Sequence, residues 1–489
     1  MELTPIIGLE IHAELKTKSK MFCSCKNNSQ EKEPNKNVCP ICMGHPGTLP
    51  VINENAIDMV IKTGLALNCK VNEISRFDRK NYFYPDLPKG YQISQYALPL
   101  CKEGFLNINS NGEEKVRIRR VHLEEDTARL IHSEKDNCSL VDFNRAGIPL
   151  MELVTEPDIY SGLEARIFAQ DLQVIFQYLD VSDADMEKGQ MRIEPNISIA
   201  QDGVMGTKVE VKNLNSFKSV ERALNYEIQR QTEAIKRGEK IIQETRGWDD
   251  VKGITYPQRS KEEAHDYRYF PEPDLPPMEF SKTHIDRLRL EVPELPKQKF
   301  QRLKDQYFLS DDKAQILVSD IDLGHYFEAM ISEVINWTKE AGIDKEGTRK
   351  VIQIAINYLT SDGVGLLKGK DFNRETFPIT PENFAEFAII LFEKNFNSKM
   401  AKMLLEKMFL TKKDPSEIIE EEGLNETIDD EKEIDEIAKR IIKENKGVVD
   451  DFKKGKQNAL QFLIGQIMKE AKGKINPQIA SEILQKWLE

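Results

Sequence analysis

The 489-residue sequence predicts an α+β fold, with an N-terminal mixed-sheet domain, an all-α domain and a small helical tail. Three observations carry this reading. Short alternating runs broken by Pro, Gly and Asn fill residues 1 to about 290 and read as strands of a substantial sheet. The stretch 291–297 (EVPELPK) is a proline-marked boundary, and beyond it apolar residues recur with helical period. Hydrophobic residues make up 39% and charged residues 31%, which supplies a large core and excludes a globally disordered chain.

The elements follow in order. Residues 6–15, 114–122, 190–200 and 207–211 alternate apolar and polar side chains and predict strands. Residues 53–67, 162–179 and 216–237 predict helices, the last with Ser216 or Ser219 as N-cap and Gly238 as its stop. Farther on, 351–359 and 384–392 carry a 3.6-residue period, and 458–472 and 478–488 read as a terminal helical pair. Domain bounds of 1–292, 293–407 and 408–489 result. No internal repeat and no long low-complexity tract is found.

The charge is unevenly placed. Net charge is −13, but residues 414–436 hold twelve acids and one base, leaving about −2 for the rest. Residues 452–489 carry seven Lys and three Glu. The low pI is therefore no argument against a nucleic-acid partner, and the basic tail around Lys453–Lys474 can touch RNA backbone as readily as form a solvated face. No run of about 18 apolar residues occurs, and the N-terminus resembles neither a secretory signal nor a transit peptide. Seven cysteines do not make a disulfide framework in a chain of this length, so a reducing, cytoplasmic setting is expected.

Four of those cysteines lie within twenty residues as Cys23-x-Cys25 and Cys39-x-x-Cys42. Two close pairs at that separation supply a tetrahedral thiolate shell for Zn²⁺, and four thiolates leave no open position, so such a zinc is structural. Free or redox-active thiols are the alternative. Cys69, Cys101 and Cys138 read as ordinary small apolar residues.

In the first strand Glu10, His12 and Glu14 share one face while Ile7, Leu9 and Ile11 share the other. A carboxylate and an imidazole two apart can converge on a divalent cation; a solvated face is the plainer reading. The pattern recurs in 191–199, with Arg192, Glu194, Asn196 and Ser198 on one side, and in 207–212, with Lys208, Glu210 and Lys212. The sequence 201–206 (QDGVMG) between them suits a hairpin. If the strands share a sheet, Glu10, His12, Glu194 and Glu210 line one face among Arg192, Lys208 and Lys212. Carboxylates for Mg²⁺ beside cations for phosphate describe a nucleoside-triphosphate site, against a null of cross-strand ion pairs. Another strand closes on His122-Leu123-Glu124-Glu125-Asp126, where three successive acids are costly unless solvated or bound to metal, and solvation is the default.

Aromatics, cations and turn residues mix in 80–91 (KNYFYPDLPKGY) and in 266–273 (DYRYFPEP); such loops stack a base and hold phosphate, or simply cover a core. No Walker A or dinucleotide glycine pattern is present, since 363–369 (GVGLLKG) matches neither, and it reads as a connector. No nucleophilic triad context is found, and His132, His284 and His325 are not candidates. A Gly/Ser-rich amidase segment is also absent, so this chain is not expected to hydrolyse glutamine itself.

Several long stretches resemble one family: IGLEIHAELKTKSKMFC, FDRKNYFYPDLPKGYQISQY, HLEEDTARL, VDFNRAGIPLMELVTEPDI, KNLNSFKSVERALNYE, DYRYFPEPDLPP and FLIGQIMKEAKGKINPQ. The chain resembles the B subunits of the tRNA-dependent aspartyl/glutamyl-tRNA(Asn/Gln) amidotransferases, over almost its whole length. The resemblance implies a cradle domain, a helical domain and a tail. It implies ATP-dependent phosphorylation of the side-chain carboxylate of misacylated Glu-tRNA(Gln) or Asp-tRNA(Asn), then amidation by ammonia. That ammonia comes from a separate amidase, the A subunit, held by a small clamp protein, the C subunit, while the helical and tail domains bind tRNA. Carried over residue by residue, the Mg²⁺ and phosphoryl-transfer site maps onto Glu10, His12, Glu125, Glu194 and Glu210, with Lys80 as its basic residue. At 194 this chain has Glu where the family more often has Asp. The four-cysteine set occurs in some members, where it binds zinc.

Overall fold

The first strand, Leu3–Glu14, is the spine of the N-terminal region because both its edges are paired. It runs antiparallel to Met191–Gln201 on one side and to Pro149–Thr155 on the other. A computed structural model gives the structure for residues 2–110, 112–133, 137–260, 267–394, 396–423, 431–453, 456, 458–470 and 477–488.

Nine strands form the main sheet. From one edge the order is Ile254–Ser260, Glu244–Asp249, Val209–Lys212, Met191–Gln201, Leu3–Glu14, Pro149–Thr155, Glu113–Glu125, Cys101–Asn109 and Lys70–Val71. Among the described residues only Val209–Lys212 and Glu244–Asp249 pair in parallel. A parallel pair needs a crossover, and the helix Phe217–Lys236 lies between those two strands in the chain. Of the two N-caps that the sequence offers, Ser216 caps that helix, accepting from Ser219 N. The predicted hairpin at 201–206 also forms. Asp202 and Gly203 both take positive φ, 47° and 82°, the conformation a tight two-residue turn between twisted strands requires.

The pleat sorts the two faces. Ile7, Ile11 and Ala13, opposite Ile197, Ile193 and Met191, and Leu9 between them are fully buried in the core. The helices Glu54–Ala66, Gly162–Tyr178 and Phe217–Lys236 contribute Val60, Ile61, Phe168, Leu172, Val220 and Leu224 to the same core. The other face of the central strands therefore carries every second residue, including Glu10 and His12. A three-stranded sheet of Phe270–Pro271, Asp78–Asn81 and Tyr91–Ser94 supplies Lys80.

The chain divides into two compact units, Met1–Pro296 and Lys297–Glu489. The second is helical throughout its described residues. Several of its helices begin on side-chain caps: Asp320 accepts from Leu323 N, Asp344 from Gly347 N and Asn397 from Met400 N. Ile434, Ala438, Ile441, Leu463, Ile467, Ala480 and Leu484 make a separate small core from three terminal helices. The predicted connector at 363–369 continues a π-helical turn, Leu359–Gly363, into the short helix Val364–Leu366. Residues 424–430 of the acidic stretch, Asp266, and residues 454, 455, 457 and 471–476 of the basic tail lie outside the described residues. None of the described helices is long and apolar enough to cross a membrane.

Candidate active site and metal centres

Register brings the polar face together. His12 lies opposite Arg192 on one neighbour and Glu152 on the other, and Glu152 lies opposite His122. One row along, Glu10 faces Glu194; Asn196 then faces Glu210. Residues directly opposite on antiparallel strands point to the same side, so these side chains share one surface.

His12 is the hub. Its Nε2 is 3.5 Å from Glu152 Oε2, 3.7 Å from Glu124 Oε1 and 4.0 Å from Glu10 Oε1. His122 Nε2 reaches Glu152 Oε2 at 3.2 Å. Ligand atoms of Glu10, His12 and Glu152 all lie within 4.8 Å of one another, as do those of His122, Glu124 and Glu152. Burial disfavours charge on His12, but the Glu152 hydrogen bond and the surrounding carboxylates outweigh it and raise its pKa to about 9. Burial and the Glu152 charge push Glu10 up, against the pull of His12 and Lys80. Glu152 is held well below the usual carboxylate range by the two imidazoles, despite its burial.

Lys80 projects towards this face from the small sheet. Burial opposes its charge, but Glu124, Tyr269 and Glu152 raise its pKa nonetheless. Its ammonium stands over the rings of Tyr267, at 5.1 Å, and Tyr82, at 5.9 Å. Tyr269 stacks on Tyr96 with centroids 4.2 Å apart. The two aromatic loops thus meet as one wall, joined where Asn81 N donates to Tyr267 O at 2.9 Å.

Lys212 Nζ bonds Glu194 Oε2 at 2.9 Å and lies 3.6 Å from Glu210 Oε1, while Thr245 Oγ1 donates to Glu210 Oε2. Glu194 and Glu210 are therefore on the predicted face, tied to a lysine. Lys208 is exposed and precedes its strand. Glu125 points to the opposite side of its strand from Glu124. Its carboxylate accepts from Ile93 N at 2.9 Å and pairs with Lys89 at 2.6 Å. The acids 124–126 are not solvated, as expected from sequence, but buried: Glu124 is 3%, Glu125 4% and Asp126 4% exposed. Asp126 takes Arg192 at 2.8 Å and Arg145 at 3.5 Å. Of the other cysteines, Cys69 and Cys101 are buried as expected, whereas Cys138 is exposed because it sits on a surface hairpin, Arg129–Ser133 with Cys138–Asp142.

From sequence, His122 and Glu124 stand out only as part of a strand-end row of acids, and Glu152 is not singled out. Glu152 had a signal: it is the lone acid in the strand PLMELVT, where burial leaves a charge costly without a partner. Glu124 Oε2 and His122 Nδ1 are buried with no hydrogen-bond partner among the described residues. A carboxylate oxygen left unpaired beside two further carboxylates is what a hard divalent cation satisfies, so the residues present fit Mg²⁺.

Glu14, next along this face, is 8% exposed and accepts from Ser29 Oγ at 2.7 Å. Burial, with Asp126 adding, raises its pKa to about 7. The folded state thus binds this proton more tightly than the unfolded chain. Stability conferred by the neutral form is complete below about pH 4.5 and is lost as pH rises to about 7, a difference of about 3 kcal/mol. Glu14→Gln is expected to raise unfolding stability at pH 8 by up to about 3 kcal/mol and to leave it nearly unchanged at pH 4.5. Equilibrium unfolding at both pH values checks this; equal shifts at both would refute it.

Far from chance spacing, the thiols of Cys23, Cys25, Cys39 and Cys42 also converge, all within 4.8 Å of one another. Cys39 and Cys42 Sγ are 3.9 Å apart. Tetrahedral Zn–S bonds of about 2.3 Å require S–S separations of about 3.8 Å. The hydrogen bond from Cys23, with Lys20 and the Cys39 amide helping against burial, lowers the Cys42 thiol to about 5.

Comparison with known proteins decides the family. The GatB/GatE catalytic domain matches residues 5–286, and a GatB domain matches 328–488. The chain belongs to the GatB/GatE family. The B subunits of aspartyl/glutamyl-tRNA(Asn/Gln) amidotransferases are similar to this GatB/GatE chain along its whole length. Those of Thermotoga maritima and Caldicellulosiruptor bescii are 46% identical, and that of Persephonella marina 45%, each covering 100% of both chains. The carboxylate–imidazole face of this GatB/GatE member lies wholly within the region matched as catalytic.

Proposed function

We propose that this chain is the synthetase-like component of a glutamine-dependent amidotransferase, a ligase forming carbon–nitrogen bonds. Its substrate is Glu-tRNA(Gln), Asp-tRNA(Asn) or both, and its reaction converts the side-chain carboxylate to the amide. The carrying observation is the Glu10–His12–Glu152 group, half-buried at Glu10 and His12 and buried at Glu152, beside His122, Glu124 and Lys80.

The chemical problem explains such a face. A carboxylate does not yield to ammonia directly, because oxide would have to leave. Transfer of the γ-phosphoryl group of ATP to a carboxylate oxygen makes phosphate the leaving group. Ammonia then adds to the carbonyl carbon, phosphate departs and a proton is lost. Mg²⁺, held by Glu10, His12, Glu152 and Glu124, would neutralise charge on the phosphoryl oxygens. Lys80, fixed against Tyr82 and Tyr267, suits a developing phosphate, and Lys212 offers a second cation near Glu194 and Glu210. The proposal extends to Zn²⁺ in the four-cysteine knuckle as a structural metal. It also includes an amidase partner (the A subunit) as ammonia source, a small clamp partner (the C subunit), a cytoplasmic setting and tRNA binding by the domains 293–407 and 408–489.

The test reconstitutes the chain with its co-expressed amidase and clamp partners on each misacylated tRNA, with ATP, Mg²⁺ and either glutamine or ammonium. Amide formed with ammonium alone, dependent on ATP and lost in Glu10→Ala, is the expected result. An intact complex giving no amide on either tRNA, or full activity in Glu10→Ala, would instead favour a tRNA-binding scaffold.

A further inference from the structure

Lys20 is among the largest fully buried side chains of the described residues, at 1% exposure. Its ammonium has two partners: Phe143 O at 3.1 Å and Cys42 Sγ at 3.7 Å. Among the described residues it forms no ion pair with a carboxylate. Burying an ammonium without an opposite charge is strongly unfavourable. Of these two partners only the Cys42 sulfur can carry that charge, as a thiolate.

A metal tetrathiolate with a divalent ion has a net charge of −2, and the four sulfurs here are already near tetrahedral spacing. The other groups donating to Cys42 Sγ are uncharged, as with the Cys39 amide at 3.2 Å. We propose that Lys20 is the built-in counter-charge of the four-cysteine metal site, a positioning residue that binds through Cys42 and raises metal affinity. This rests on the zinc reading above.

The same side chain couples the knuckle to the reaction face. Phe143 O belongs to the segment that also carries Arg145, which pairs with Asp126. The loop between the cysteine pairs docks on that segment: Phe143 N donates to Asn35 Oδ1 at 2.7 Å and Asn37 N to Asn144 Oδ1 at 2.8 Å. Lys20 is therefore the charged pin between a metal-held loop and the residues that fix Asp126 and Arg192.

The test compares the full chain with Lys20→Met and Lys20→Gln by zinc competition against a chromophoric chelator. It adds thermal melting of zinc-loaded and stripped forms and the absorption of the Co²⁺-substituted proteins. Expected is about a 10- to 100-fold loss of zinc affinity, the usual effect of removing an outer partner of a metal ligand. The melting-temperature gain on zinc loading should shrink in both variants. The sulfur-to-cobalt charge-transfer band should move to lower energy, because the thiolate loses a cation. Should Lys20→Met fail to fold, Lys20→Gln, which keeps a donor for Phe143 O, carries the comparison. Wild-type zinc affinity with an unmoved cobalt band overturns the assignment of Lys20 alone. Equal destabilisation of loaded and stripped forms reduces Lys20 to a structural role and overturns it too. A wild-type chain that takes up neither zinc nor cobalt overturns the zinc reading itself.

Discussion

Glu152→Gln is expected to slow ATP-dependent amide formation by roughly 10³-fold or more, about 4 kcal/mol of barrier. The substitution keeps size and removes one charge. Glu152 belongs to both convergent groups on the polar face and is the carboxylate shared by His12 and His122. A neutral amide at that position cannot hold a divalent cation as an anion does. It would also turn a fixed pair of imidazoles loose, because the carboxylate orients both. Initial rates with ammonium as the nitrogen source, measured across a Mg²⁺ titration, check this. Expected are a lower rate and a higher Mg²⁺ requirement. A rate within tenfold of wild type at ordinary Mg²⁺ would remove Glu152 from the metal-binding set.

The design behind this expectation is a division of labour between the faces of one sheet. The apolar face is sealed by three helices and supplies the rigidity. The polar face accumulates acids at a cost that each strand alone would not sustain. It is tolerable because neighbouring strands supply partners: Arg192 for Asp126, Lys212 for Glu194, imidazoles for Glu152. Glu124 is the acid for which protein partners run short, since its Oε2 has none among the described residues. A functional site is where such a local violation is expected.

Much of this was legible in the residues alone. Alternation in 6–15 and 190–200 gave both the strands and the identity of their polar faces, because a period of two leaves no freedom in which side a residue takes. The caps at Ser216 and the turn at Asp202–Gly203 were equally readable, being local chemistry. Pairing was not local. Nothing in the string ELV of the strand PLMELVT says that it lies beside His12, 140 positions away, and Glu152 was missed for that reason. The acids 124–126 show the same limit differently. Three consecutive residues on one strand cannot share a face, so the row HLEED had to split among separate environments, but which acid went where depended on the neighbours. The four cysteines were legible because metal spacing is a short-range pattern, whereas Lys20, three residues before the first of them, carries no sequence mark of its burial.

The split between Glu124 and Glu125 makes the second large prediction. Glu125→Gln is expected to destabilise the N-terminal unit by about 3–5 kcal/mol, the range for removing one partner of a buried ion pair. The carboxylate is 4% exposed and makes three contacts at once: Lys89 to both oxygens, at 2.6 and 2.7 Å, and Ile93 N at 2.9 Å. Gln in its place leaves the Lys89 ammonium uncompensated, because among the described residues Lys89 forms no other ion pair. Its side chain also supports the turn at Gly44, where a Cβ would come within 2.6 Å of Lys89 Cγ. Loss of the pair therefore loosens the floor beneath Cys42 without touching His12. Glu124→Gln should behave in the opposite way, removing activity while leaving the melting temperature near wild type, since its Oε2 holds no protein donor. Melting of both variants, with the Mg²⁺ dependence of whatever activity each retains, separates the roles. A Glu125→Gln protein that melts normally but needs far more Mg²⁺ would return Glu125 to the metal site and overturn the assignment made from its orientation.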